Sequence, residues 1–485
     1  MFQSTEKASL KLLAAVLSLW CTCSLAAEYA DYHYHARLND DLSLMQVQAC
    51  FAGSPPLRLR ADHAEAYRYL HLPESTKNND ANLQFESKTL RVVSQAPGAC
   101  VSYAVDLGAA VSQGRRAPVS RIGEDLRTDP RLWLWRPASG GQIDLQLSLP
   151  AGVAVSAPWQ QLEGDRYLID PAASSGLRAA VVFGQLEQFD IVVPGATLDV
   201  ALLDGQPAAK LKEMRRWLSA AAAAVVAAYG RFPVPRVQVL IVPVNAGGWG
   251  DHEAVPFGRV LRGGGAAIEL FVNTRRPIEE YLSDWTAAHE LSHFFHPLLA
   301  QQDAWLAEGL ASYYQNVLRA RTGILSEQMA WQKLHEGFER GIAGTTGIPL
   351  NRVAANMHRD RTYMRVYWSG AAVALMADAE LRISTDGRLS LDEALARFSR
   401  CCLPAERRWS GREFMAKLDE LMDTQVFSAL YLRYSVSPRF PDVASIYRPL
   451  GLVVDDAGQI RLREAEHAAV RDRIMRGSYS HSSSL

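Results

Sequence analysis

Residues 285 to 298 read WTAAHELSHFFHPL, with three histidines and one glutamate inside eight positions. His289 and His293 are four apart, so a helix would set both imidazoles on one face, one turn apart, as two ligands of a single ion require. Glu290 follows the first histidine, placed to hold a proton beside an ion-activated water without binding the ion itself. Ser283 and Asp284 give a helix-start signal, and Pro297 gives a stop. The expected ion is zinc, one per chain. It needs a third protein ligand and an open fourth position.

Two residues compete for third ligand. His296 would share the helical face, but seven positions from His289 is about 10.5 Å along the axis. One ion about 2 Å from each nitrogen cannot readily serve all three, so His296 is expected to be packing. Glu308 lies in AWLAEGLASYYQNVLRAR, residues 304 to 321. It is the only acid in an apolar, aromatic run, with small neighbours that let its helix pack closely, and it is the expected ligand.

The rest of the chain sets limits on what surrounds this motif. At 485 residues it is too long for one core. The 51 basic and 52 acidic residues nearly balance, which gives no electrostatic case for nucleic acid or an anionic membrane surface. Lys7 and Lys11 precede an apolar run from Leu12 that ends in CSLAAE, the pattern of an export signal cut after Ala26 or Ala27. Leu12 to Ala27 is 16 residues, short of the roughly 20 a membrane span needs, and no later segment reads as a span. The mature chain is therefore expected in the periplasm or the medium, where disulfides form. Cys50 and Cys100, both in strand-like sequence, are the expected pair. The adjacent Cys401 and Cys402 stay undecided.

From residue 28 to 204 the chain shows short alternating runs broken by Gly, Pro, Asn and Asp, the texture of an all-β domain. YHYH, residues 32 to 35, reads as the start of a strand. A long alanine-rich helix follows Gly205, then two buried strands, VQVLIVPV and AAIELFVN, joined by a glycine-rich loop that holds Glu253. Beyond Asn273 the pattern is helical, with Ser390–Glu393 and Ser410–Glu413 as capping-box signals. The division expected is a signal at 1–27, a β-rich domain at 28–204, a catalytic domain at 205–400, a helical region at 401–477 and a disordered tail at 478–485.

HELSH followed by WLAEGLASYY resembles the gluzincin metallopeptidases, the group of aminopeptidase N and of the glycyl aminopeptidases. VYWSGAAVALMADAELRISTDGRLSLDEAL, residues 366 to 395, is similar to their Y-x-x-G helix, most closely in the glycyl branch. The likeness spans roughly residues 205 to 452. It implies a multidomain α+β protein in which a thermolysin-like zinc peptidase domain lies between an all-β domain and a helical region. Carried over by position, it makes His289, His293 and Glu308 the zinc ligands and Glu290 the general base. Tyr367 would steady the oxyanion, with Tyr363 one turn away as its competitor. The substrate implied is a peptide or protein, cleaved by an exported, aminopeptidase-like enzyme. An endopeptidase of the same fold and an inactive peptide-binding relative are the alternatives. Three features depart from the pattern: the short spacing between His293 and Glu308, the lack of a clean substrate-anchoring G-x-M-E-N strand, and the absence of a PDZ domain. GGWGDHEAVPFG is only a loose relative of that strand, and Glu253 within it is either an ammonium-binding carboxylate or a plain surface acid.

Overall fold

The computed structural model describes residues 30–72, 83–93, 96–112, 117–169, 178–244, 252–262, 264–405 and 407–477. The expected export signal, the polar tail and residues 245–251 and 263 of the glycine-rich loop lie outside these residues. The chain forms two compact units. The first takes in the described residues up to Ala110, Arg131–Pro150 and the described part of Trp159–Ser175.

The first unit is built on a seven-stranded sheet and a four-stranded one. Tyr32–Leu38 lies in the seven-stranded sheet, antiparallel to Leu44–Phe51 and parallel to Ile143–Ser148. Side chains alternate across it: Tyr34, Ala36 and Leu38 are buried, as are Met45, Val47, Ala49 and Phe51 on the neighbouring strand. This is the period-two pattern read from the sequence. Leu44–Phe51 pairs with Cys100–Asp106 in a register that sets Cys50 opposite Cys100, and the two are joined by a disulfide. The expected pairing is therefore present. Cys401 and Cys402 are also bonded to each other.

The second unit holds a small four-stranded sheet and a five-stranded one. The latter comprises β1 (Glu187–Val193), β2 (Ala196–Leu202), β3 (Arg236–Pro243), β4 (Phe257–Leu261) and β5 (Ala267–Val272), in the order β1-β2-β3-β5-β4. The inner strands β3 and β5 are nearly continuous apolar runs because both of their faces are covered. Gln238 on β3 is one exception and Glu269 on β5 another. Glu269 is fully buried and receives charge-assisted hydrogen bonds from Arg127 (2.6 Å) and Arg259 (2.5 Å). Strand β4 is the edge, antiparallel to β5.

Helix α1 (Ala208–Val226) buries Met214, Trp217 and Leu218 in the core of this unit. Three further helices position the site: α2 (Thr286–Ser292), α3 (Ala304–Arg321) and α4 (Tyr363–Ser384). The far ends of α3 and α4 are tied by a buried ionic network. Asp392 accepts from Arg321 and Arg382 (3.0 Å each), and Asp378 accepts from Arg382 (2.9 Å) and the Tyr313 hydroxyl (2.8 Å). The helices that follow include Leu391–Cys402 and Gly411–Met422. Ser410 and Glu413 complete a reciprocal capping box. At Ser390 only the serine half forms, because Glu393 turns to Arg397 at 2.7 Å. The fold is thus the multidomain α+β arrangement expected, with β sheets first and helices last. No helix among the described residues is long and apolar enough to cross a membrane.

Candidate active site

Helix α2 begins where the Asp284 carboxylate accepts from the Thr286 amide at 2.7 Å, satisfying a donor that the helix itself leaves open. It is shorter than the sequence pattern suggests. The α-helix ends at Ser292, a 3-10 turn carries His293–Phe295, and His296 is extended (φ −133°, ψ 160°). Pro297 accounts for this, since the residue before a proline is driven out of the helical region. The three histidines therefore do not share one helical face. His289 sits on the helix, His293 at its junction with the turn, and His296 beyond it.

His289 and His293 still converge on Glu308 of α3. The Nε2 atoms lie 3.4 Å and 3.6 Å from one carboxylate oxygen of Glu308. One ligand atom from each of the three residues falls within 4.8 Å of the others. His289 points Nδ1 at the Gln315 amide oxygen (2.7 Å), and His293 points Nδ1 at Nε2 of His296 (3.2 Å). Both Nε2 atoms are thereby left facing Glu308. Two imidazole nitrogens and one carboxylate oxygen form a donor set that zinc accepts, and it fits a catalytic rather than a structural site. His296 is not part of that group.

Charge reinforces the arrangement. Burial pushes the Glu308 carboxyl up, but His293 and His289 outweigh it and hold the group below its ordinary value. Burial lowers His293 far below the usual imidazole range, favouring the neutral ring that a ligand must be.

Glu290 is buried beside this cluster and outside it. The edge strand β4 runs against it. A Cβ on Gly258 would stand 2.7 Å from Cγ of Glu290 and 2.7 Å from Cγ2 of Thr286, so only glycine lets the strand approach this closely. The Val260 amide donates a hydrogen bond to the Glu290 carboxyl, whose pKa is pushed up to about 7. Burial is the main cause; His289 opposes it and Glu308 adds to it.

Tyr367 on α4 lies over the same cluster. Its ring is near-parallel to that of His289, 5.9 Å between centroids, and its hydroxyl bonds to Glu308. Burial and the neighbouring carboxylates raise its pKa well above normal, so it is a neutral donor. Tyr363 turns away, its hydroxyl 3.3 Å from Nδ1 of His358. A pocket of about 420 Å³ opens onto His289, Glu290 and Tyr367, with Glu253, Phe257 and Trp285 also in its walls.

The structure thus brings together His289, His293, Glu308, Glu290 and Tyr367, with Glu253 in the pocket wall. Sequence reasoning missed Gln315, Gly258 and Arg262. Gln315 had a usable signal, since seven residues after Glu308 it shares the same face of α3. Arg262, just past β4, donates to the main-chain oxygens of His293 and His296, the latter at 2.7 Å.

The chain has the fold of the M1 zinc metallopeptidases. It matches an M1 zinc metallopeptidase from Deinococcus radiodurans with a TM-score of 0.53 at 13% identity, covering 85% of this chain and 94% of that one. An aminopeptidase N family protein from Idiomarina loihiensis gives a TM-score of 0.57 at 14% identity, over 76% of this chain and 70% of that one. No family model matches the sequence, and no curated protein does.

Proposed function

We propose that this protein is an exported, zinc-dependent peptidase of aminopeptidase type. The observation that carries this reading is the convergence of both Nε2 atoms on Glu308, with Glu290 and Tyr367 facing the same pocket. Zinc held by His289, His293 and Glu308 would supply Lewis-acid polarisation of the scissile carbonyl and activation of a water.

The remaining steps belong to the protein. Glu290 takes the proton of the attacking water and delivers it to the leaving nitrogen. The Val260 amide fixes the orientation of that carboxyl. Tyr367 donates its hydroxyl hydrogen to the oxygen that becomes negative, an interaction stronger in the transition state than in the ground state. Strand β4, an edge with half-exposed residues, offers main-chain groups along which an extended peptide can lie.

Glu253 in the pocket wall supports action at amino termini, because a carboxylate there can bind a substrate ammonium. A mutant of the Deinococcus radiodurans metallopeptidase is described as bound to a Tyr-Ser-Ala substrate, which is consistent with a short peptide as substrate. The Cys50–Cys100 disulfide supports export to an oxidising compartment.

Mass-spectrometric profiling of a peptide mixture, with and without a chelator, tests the proposal. Stepwise loss of amino-terminal residues, blocked by amino-terminal acetylation and by the chelator, is the expected result. Internal cuts would make the protein an endopeptidase. No cleavage by the zinc-loaded chain would make it a peptide-binding relative.

A further inference from the structure

His296 is the most unusual neighbour of the candidate zinc site. Pro297 gives it an extended backbone, and its ring returns against His293 with centroids 5.4 Å apart. Its Nδ1 lies 2.8 Å from the Pro297 carbonyl oxygen. That oxygen can only accept, so Nδ1 of His296 carries the hydrogen. The ring is 3% exposed, and the Arg262 guanidinium already occupies the main-chain oxygens of residues 293 and 296. A second positive charge there would be buried without a counter-ion, so the ring is neutral and holds one N–H only.

The rest follows by elimination. Nε2 of His296 presents a lone pair, and it lies 3.2 Å from Nδ1 of His293. Nδ1 of His293 must therefore donate, and its Nε2 is left unprotonated, facing Glu308 at 3.6 Å. His289 is oriented by another route, its Nδ1 lying 2.7 Å from the Gln315 amide oxygen. One ligand is oriented by the facing helix, the other by a histidine three residues further along the chain.

Resting on the zinc reading, we propose that His296 is a positioning residue, locking His293 in the Nδ1–H tautomer with Nε2 aimed at the metal, while Arg262 clamps the turn that carries both rings. Partners of this kind fix the orientation and basicity of metal-binding imidazoles, and their loss costs roughly 10- to 100-fold in affinity.

The test compares His296→Leu, which has no acceptor, with His296→Gln, whose amide oxygen can stand near the former Nε2. Zinc affinity is measured by competition with a chromogenic chelator on the full chain. The leucine variant should bind zinc about 10- to 100-fold more weakly, and the glutamine variant within about threefold of wild type. A folded leucine variant with unchanged affinity would overturn the proposal. Should that variant not fold, long-range 1H–15N correlation spectra of the histidine-labelled wild-type chain decide. His293 is expected as the Nδ1–H tautomer, and an Nε2–H signal would overturn the assignment. A wild-type chain that binds no zinc would instead sink the proposed function, while the tautomer spectrum would still judge His296.

Discussion

Gly309 and Gly370 face each other where α3 crosses α4: a Cβ on Gly370 would lie 2.7 Å from Cα of Gly309 and would overlap the carbonyl oxygen of Trp305. The obstacle is backbone, which cannot swing aside as a flexible side chain can. This crossing also sets the site, because Glu308 adjoins one glycine and Tyr367 lies one turn before the other. Gly370→Ala should push the helices apart, costing about 1–3 kcal/mol or more in stability and separating Tyr367 from Glu308. Denaturant unfolding checks the first effect and peptide turnover the second. An alanine variant as stable and as active as wild type would mean that the crossing can relax.

The two tyrosines of α4 should separate cleanly. Tyr367→Phe removes one donor from the pocket and should lower kcat by about 10²- to 10³-fold with KM little changed. Tyr363→Phe should have a much smaller effect, since that hydroxyl is turned to His358. Steady-state kinetics with the reverse order would assign the oxyanion donor to Tyr363.

Glu290→Gln keeps the shape of the side chain but cannot accept a proton. Zinc content should stay at the wild-type level while kcat falls by at least roughly 10²-fold. A variant that turns over peptide at the normal rate would leave Glu290 without a catalytic role. Loss of zinc in this variant would instead place Glu290 among the ligands.

Asp284 accepts from the first amide of α2 while partly buried, and its carboxyl is pushed up to about 6. Burial is the main cause, opposed by the Thr286 amide and by Arg319. A carboxyl raised in the folded state contributes stability that is complete below its unfolded value, near about 4, and is lost as pH rises through about 6. Asparagine cannot ionise, yet its amide oxygen can still accept that hydrogen bond. Asp284→Asn should therefore match wild type at about pH 4 and be more stable by on the order of 1 kcal/mol at about pH 7.5, the figure being reduced for partial exposure. Thermal melts at the two pH values read this directly, and equal melting temperatures at both would contradict it.

The parts of the site written in local spacing were legible. His289, Glu290 and His293 sit within one helical turn and the turn that follows it, and Glu308 stands out as the sole acid in an apolar run. Tyr367 was reachable only through resemblance, since nothing local distinguishes it from Tyr363. Contacts that depend on the path of a distant segment were not legible. Gly258 and Val260 meet Glu290 because β4 is paired to β5 in one register, and Arg262 reaches the turn after α2 from the end of that strand. The relation of His296 to His293 was hidden for a different reason. Helical periodicity carried the sequence argument one step past Ser292, whereas Pro297 had already turned His296 out of the helix. In the β-rich unit the alternation of side chains was readable. The Cys50–Cys100 pairing followed from two strand-like segments, and the strand register places the two cysteines directly opposite each other.

Whether His289, His293 and Glu308 hold one zinc ion is decided by metal analysis of the purified chain. Mass-spectrometric metal quantitation of the wild-type protein should find about one zinc per chain, lost on chelation. His289→Ala, His293→Ala and Glu308→Ala should each retain little of it, because two remaining protein ligands rarely hold zinc firmly. Full zinc occupancy in any of these variants, or none in the wild-type chain purified with zinc present, would contradict the account.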